Sequence, residues 1–289
     1  MKSMMKRNTF REIKKSFGRY FAILAIIALG VAFFSGLKIT QSVMVHSADV
    51  YLKDLQFYDY RLVSTLGFTE ENVEALAEKE DVRAAEGAIS AEVLYKDAGE
   101  NERVIKMHSI TEKVNKLKLV AGEMPQSADE CVVDSALFSE DAIGSKLVLS
   151  ENNTTDDLDK FAYKEYTITG LVQSPCYIQF ERGNTSIGNG RISGFAYILK
   201  DGFTVDYDTE IYIKFDEDYD IYSDEYDSYM DAKEADWEVY TKEQADIRYE
   251  KIVKDAQDEL DEKKEELEEK RAEAEAELES AKQQLTDGE

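Results

Sequence analysis

The feature that most restricts this chain is a run without charge, Tyr20 to Leu37 (YFAILAIIALGVAFFSGL), eighteen residues bounded by Arg19 and Lys38. Crossing a bilayer core of roughly 30 Å as a helix takes about 20 apolar residues, with about 17 as the lower bound. The run meets that bound. Tyr20, Phe33 and Phe34 stand near its ends, where aromatic rings favour the interface. A cleaved signal peptide is the chief rival. Signal apolar regions run to about 7–15 residues and precede a small-residue cleavage site. Here the run is longer, and Val45-His46-Ser47 before Ala48 is a weak match. A core helix of a soluble domain would show a polar face, which this run lacks. Residues 20–38 therefore read as a retained transmembrane helix in a lipid bilayer.

Charge sets the orientation. Of 35 Lys+Arg and 61 Asp+Glu, eight basic residues and the single acid Glu12 lie in residues 1–38, so residues 39–289 carry a net charge of −33. Seven of those basic residues precede the span. The positive-inside bias then makes residues 1–19 cytoplasmic and the remainder extracytoplasmic, single-pass in a cell membrane. Within 1–19, Phe10, Ile13 and Phe17 recur at i, i+3, i+7 among basic side chains. That is the pattern of an amphipathic helix lying on an anionic leaflet, and the same lysines also serve as topology signals. An acidic body has no basic face for phosphate contacts, so no nucleic-acid partner is expected.

Beyond the span, residues 39–55 keep a helical apolar spacing (Ile39, Val43, Val50, Leu55) without glycine or proline, which continues the helix as a stalk. Residues 56–240 read as an α+β extracytoplasmic domain with room for two subdomains. Alternating or apolar runs at 58–63, 91–95, 103–107, 131–133, 146–149, 166–172, 194–199 and 210–215 predict strands, and Thr69 followed by Glu70 and Glu71 predicts a capped helix. Asp216, Asp218 and Asp220 mimic the first ligands of a calcium loop, but Ile221 stands where that loop needs glycine and Asp227 where it needs glutamate. An acidic helix with Tyr222, Tyr226 and Tyr229 on one face is the better reading. Residues 241–289 predict a long coiled-coil arm. Val253, Leu260, Leu267, Ala274 and Ala281 recur at seven-residue spacing, with Gln257, Lys264, Arg271, Leu278 and Leu285 as companions. Gly288 is a natural helix stop, and the arm reads as half of a hairpin.

Motifs of chemistry are missing. The sequence has no G-x-x-x-x-G-K-[ST], G-x-S-x-G, H-E-x-x-H or C-x-x-C. His46 and His108 stand alone and read as surface or stalk residues. Cys131 and Cys176 both fall outside the membrane, where a disulfide is permitted, while a buried free thiol at Cys131 is equally consistent with its strand. No catalytic residue, cofactor-binding residue or metal ligand is singled out, and the chain does not read as an enzyme.

Five stretches, in order, carry a resemblance: Phe10–Leu37, Asp54–Leu66 (DLQFYDYRLVSTL), Leu119–Val133 (LVAGEMPQSADECVV, with a Gly-x-Met-Pro turn before a strand), Ile143–Leu149 and Tyr166–Val172. Together they run through residues 8–215 and resemble the N-terminal part of an FtsX-like (MacB-type) ABC transporter permease. The helical arm resembles the coiled-coil insertion of large Gram-positive members. The resemblance implies a permease subunit, or an N-terminal fragment of one, that transmits motion driven by a separate cytoplasmic ATP-binding subunit to its outer domain, for export or cell-envelope control. It also implies a second permease copy as partner. Such permeases have four or more spans, with the ATPase-contacting loop after the second, whereas this chain shows one. The alternative is a single-pass anchored scaffold or sensor whose arm recruits a partner helix or a cell-wall protein.

Overall fold

The computed structural model describes residues 2–97, 99–217 and 219–287. The chain divides into two compact units, one of residues up to Val63 with Phe68–Tyr222, the other of Ser64–Gly67 with the residues from Ser223 onward.

The first unit opens with helix α1 (Lys2–Lys15) and helix α2 (Phe17–Asp54). Ser16, between them, is an N-cap without a side-chain hydrogen bond. Helix α2 runs unbroken for 38 residues, and its apolar window has none of its residues buried inside the protein. Among the described residues it is the one helix long and apolar enough to cross a membrane.

Strand β1 (Tyr60–Phe68) is followed by helix α3 (Glu70–Ala77) and strand β2 (Val82–Ala88). At the start of α3 the Asn72 side chain accepts from the Thr69 backbone N–H at 3.0 Å, which satisfies a donor the helix cannot reach. Then come β3 (Ser90–Lys96), β4 (Glu102–Ser109), β5 (Lys118–Gly122), β6 (Glu130–Asp134) and β7 (Lys146–Leu149). After the short helix α4 (Thr155–Leu158), strands β8 (Glu165–Gln173), β9 (Ile192–Ile198) and β10 (Asp208–Phe215) complete the unit. The mix of sheets with few helices is the α+β class.

Two sheets form. A three-stranded sheet has the order β1-β10-β2, and a seven-stranded sheet has the order β5-β8-β6-β9-β4-β3-β7. Strand β7 pairs with β3 through Tyr95↔Leu149 and also with β8 through Lys146↔Thr167, so six strands close into a ring with β5 outside it. Closure leaves fewer unpaired edges to solvent. Val93, Ile105, Met107, Cys131, Val133, Tyr166, Ile168 and Ile198 fill the inside of the ring. Its outer face is also covered at β6 and β9, where Val132, Phe195 and Tyr197 pack with Val172 and Tyr177. Burial on both faces explains why Phe195–Leu199 is a continuous apolar run rather than an alternating one. The Gly-x-Met-Pro turn needs its glycine. Gly122 has φ +79°, and a Cβ there would lie 2.2 Å from the Thr169 carbonyl oxygen.

The second unit is dominated by helix α5 (Asp224–Asp287), 64 residues and about 95 Å long at 1.5 Å per residue. It merges the tyrosine-bearing acidic stretch and the arm into one helix. Tyr222 precedes its first turn, so the expected three-tyrosine face begins only at Tyr226. Val253, Leu260 and Leu267, on the heptad seam, are exposed. Gly288 lies outside the described residues, as do the side chains of Ala281 and Leu285.

Candidate functional site

The site is built where α2 ends and the chain leads into the three-stranded sheet. Leu52 is buried there, and so is Asp49, whose carboxylate accepts from the Ile221 backbone N–H at 2.9 Å and pairs with Lys53 at 3.0 Å. Lys53 in turn donates to Asp220 at 2.6 Å. Beyond the last turn the Leu55 and Gln56 carbonyls accept from the Lys116 and Asn115 backbone N–H groups at 2.8 and 2.9 Å. Gln56 and Asn115 both have positive φ, the conformation that lets the chain leave the helix sharply. The hydrogen bond to Asp220 is the main cause that raises the Lys53 pKa, and the same bond lowers that of Asp220. Asp220 is exposed and Lys53 partly so; the pair therefore adds little stability and acts as a positional tie. Asp49, Leu52 and Lys53 are helical neighbours at i, i+3, i+4, so one face of α2 carries every tie.

A cavity of about 530 Å³ opens beside this junction. Leu52 belongs to its wall, together with Tyr58 and Arg61 from the start of the three-stranded sheet, Lys106 and His108 from β4, and the loop after β8. Behind the wall Glu210 of β10 is buried. Its carboxylate accepts from the Ser90 hydroxyl at 2.6 Å and from the Tyr212 hydroxyl at 2.5 Å. Lys106 approaches it to 3.5 Å and Arg61 to 3.8 Å. Burial pushes the Glu210 pKa up, but the Ser90 and Tyr212 hydrogen bonds and the lysine outweigh it, and the net shift is downward.

His108 corrects the expectation of a surface residue. It is buried, its Nε2 lies 2.6 Å from the Tyr177 hydroxyl, and its ring stacks on Tyr197 at 5.0 Å. Burial, with Lys106 nearby, pushes its pKa down to about 3, so the ring is neutral at physiological pH. His46 is exposed on α2. The loop after β8 is held by Arg182, which donates to Asp134 at 2.7 and 3.1 Å and to the Tyr177 and Gln179 carbonyls. Its guanidinium also lies over the Tyr177 and Phe195 rings. This spread of partners keeps Tyr177 against His108.

Both cysteines are free thiols, Cys131 inside the ring and Cys176 on the cavity wall. Burial raises both pKa values, that of Cys176 to about 11, so neither is a thiolate at neutral pH. Among the described residues no group of three or more His, Cys, Asp or Glu side chains could hold a metal ion. Of the calcium-like triplet, Asp218 lies outside the described residues, Asp216 meets Arg83 and Asp220 holds Lys53. The arrangement is suited to holding the helix end and to binding through hydrogen bonds and charge.

The sequence alone does not mark this site. The spacing of Arg61, Lys106 and Glu210 along the chain carries no periodic signal, and His108 gains its partners only through β4, β9 and the loop after β8.

No family model matches the chain, and no curated protein matches it in sequence. It is similar in structure to the extracellular domain of the noncanonic ABC-type transporter YknZ from Gram-positive bacteria. The identity is 12% and the TM-score 0.35, over 53% of this chain and 76% of that one. It is also similar to the periplasmic region of MacB from Actinobacillus actinomycetemcomitans, at 14% identity and a TM-score of 0.35, over 55% of this chain and 69% of that one.

Proposed function

We propose that this chain is a permease subunit, or the N-terminal part of one, of an FtsX-like ABC transporter, with no enzymatic activity of its own. Residues 1–19 are cytoplasmic, 20–38 span the membrane, 39–55 form the stalk, 56–240 form the extracytoplasmic domain, and 241–289 form a coiled-coil arm. One observation carries the reading. A single unbroken helix runs from the apolar window to Asp54 and is fastened at its end through Asp49, Leu52 and Lys53. A continuous helix packed at its end moves as a rigid body and passes displacement on rather than absorbing it. Motion driven by a separate cytoplasmic ATP-binding subunit would reach the outer domain along α2, for export or for control of the cell envelope. A second permease copy completes the transporter, and the exposed seam of α5 awaits a partner helix or a cell-wall protein.

The test is the native protein in membranes of the source cell, probed with antibody to residues 48–236. A band well above 32.9 kDa that brings an ATP-binding protein with it on purification is expected. A band at 32.9 kDa without such a partner would overturn the transporter in favour of the anchored scaffold.

A further inference from the structure

We infer that the cavity beside the stalk end is a binding site for a small oxyanion, a phosphate or carboxylate carried on an aromatic or apolar body. The first ground is the unspent donor capacity of two cations. Lys106 and Arg61 both turn toward Glu210, at 3.5 and 3.8 Å, distances longer than the roughly 2.7–2.9 Å of a charge-assisted hydrogen bond. Glu210 is already occupied by the hydroxyls of Ser90 and Tyr212. A lysine has three donors and an arginine five, so Glu210 takes up only part of this capacity, and both side chains belong to the cavity wall. Arg61 is about half exposed and Lys106 mostly covered, and the two cations share one buried acid. An entering oxyanion would supply the acceptors that the protein withholds.

The second ground is the lining. Phe57, Tyr58 and Tyr212 form a connected row of rings, with centroids 4.4 and 5.2 Å apart along it, on the same wall as the cations. A volume of about 530 Å³ falls in the roughly 300–1,000 Å³ range of small-molecule sites, in which a few polar groups fix the ligand among apolar ones. The third cation of the wall, Arg182, is consumed by Asp134 and by two carbonyls. Three acids oppose an anion here, Glu210 itself behind the two cations and two more in the wall. Glu181 is exposed at the rim, and Glu92, the cross-strand partner of Lys106, receives the Thr185 hydroxyl at 2.6 Å. Glu92 therefore sets the affinity, and Leu52 in the wall puts the bound anion against the end of α2.

This inference concerns binding alone and stands apart from the transport reading. Its test uses the full chain in detergent, titrated calorimetrically with phenyl phosphate, benzoate, inorganic phosphate and neutral benzyl alcohol at matched ionic strength. Phenyl phosphate or benzoate is expected to bind more tightly than inorganic phosphate, and benzyl alcohol not to bind. The phosphate and carboxylate arms show which oxyanion fits the pair better. Arg61→Gln and Lys106→Gln should each weaken binding at least about tenfold, the worth of roughly one charge-assisted contact. Glu92→Gln keeps an acceptor for Thr185, removes the opposing charge, and should tighten binding several-fold. That gain is read on a folded protein even if the cation variants misfold. Binding that is unchanged in Glu92→Gln, that persists in both cation variants, or that is equal for benzyl alcohol overturns the proposal.

Discussion

The closed ring of strands and the three-stranded sheet that follows α2 bury their side chains by different means. Inside the ring Val93, Ile105, Met107 and Ile198 are buried in one apolar cluster, and alternate residues of each strand supply it. Such burial is non-directional, worth about 25 cal/mol per Å² of apolar surface, and many side-chain combinations satisfy it. The three-stranded sheet instead buries Asp208, Glu210 and Lys214 on a single strand. Each needs a partner at a set distance. Lys214 meets the buried Asp59 at 2.9 Å, and Asp59 also accepts from the Phe215 backbone N–H at 2.9 Å. Taking an ion out of water costs several kcal/mol unless the partner is in place. A slip of one residue between β1 and β10 would separate these charges and turn every side chain to the other face. Where α2 delivers the chain into the domain, the register is thus held by directional pairs, while the ring relies on volume and alternation.

Lys214→Met would break the comparison most sharply. It leaves Asp59 buried without its cation and should lower stability by about 3–5 kcal/mol, read as the thermal or urea midpoint of the full chain in detergent by tyrosine near-UV circular dichroism. If the loss is under about 1 kcal/mol, the charges do not hold the register. Ile105→Ala, inside the ring, should cost about 2–5 kcal/mol by transfer and cavity terms, and Ile105→Val only about 0.5–1.5. A steep loss for the valine variant would mean that the ring, too, depends on close fit.

The third prediction concerns the neutral buried histidine between the two regions. His108 has its folded pKa depressed to about 3, so its stabilisation is complete above the unfolded value near 6.5 and is lost as pH falls. Between pH 6.5 and 4.5 the unfolded chain takes up a proton that the folded chain refuses, which should cost about 2 kcal/mol. His108→Gln, which retains a hydrogen-bonding side chain, should flatten that part of the pH profile. An identical profile in the two proteins would mean that His108 protonates in place.

Comparable or smaller effects are expected where the end of α2 is tied. Asp49→Ala removes the acceptor of the Ile221 N–H and one partner of Lys53, and should cost about 1.5–3 kcal/mol. Lys53→Ala, at a more solvated position, should cost less than about 1 kcal/mol. The readout that separates a positional tie from general stability is the spread of distances between spin labels on residues 44 and 120 of the full chain, which should widen in Asp49→Ala under conditions where it remains folded. An unchanged spread would assign the fastening to Leu52 and the backbone contacts instead.

Much of this protein is legible residue by residue. The uncharged run at 20–37, the basic head before it and the acidic body after it are one-dimensional properties, and each maps directly onto a physical preference for lipid or water. Strands such as Lys146–Leu149 and Glu165–Gln173 announce themselves by alternation or by continuous apolar character. The capped helix after Thr69 is signalled by local hydrogen-bonding chemistry. Strands β2 (VRAAEGA) and β5 (KLVAG) were not legible, because short segments of alanine, glycine and charge carry little strand preference, and it is their neighbours β10 and β8 that hold them.

What tertiary structure alone decided is which distant residues meet. Ring closure depends on β7 pairing with both β3 and β8, and no local pattern encodes a second edge. His108 looks the same in sequence whether solvated or stacked on Tyr197 with Tyr177 edge-on to its ring, since its burial comes from strands and a loop that lie far along the chain. Arg61, Lys106 and Glu210 converge only because β1 pairs with β10 while β4 lies close to the same carboxylate. Composition and periodicity report how each segment meets its solvent. Pairing between segments is decided by the folded chain as a whole, where non-local hydrogen bonds and charge contacts are formed together or not at all.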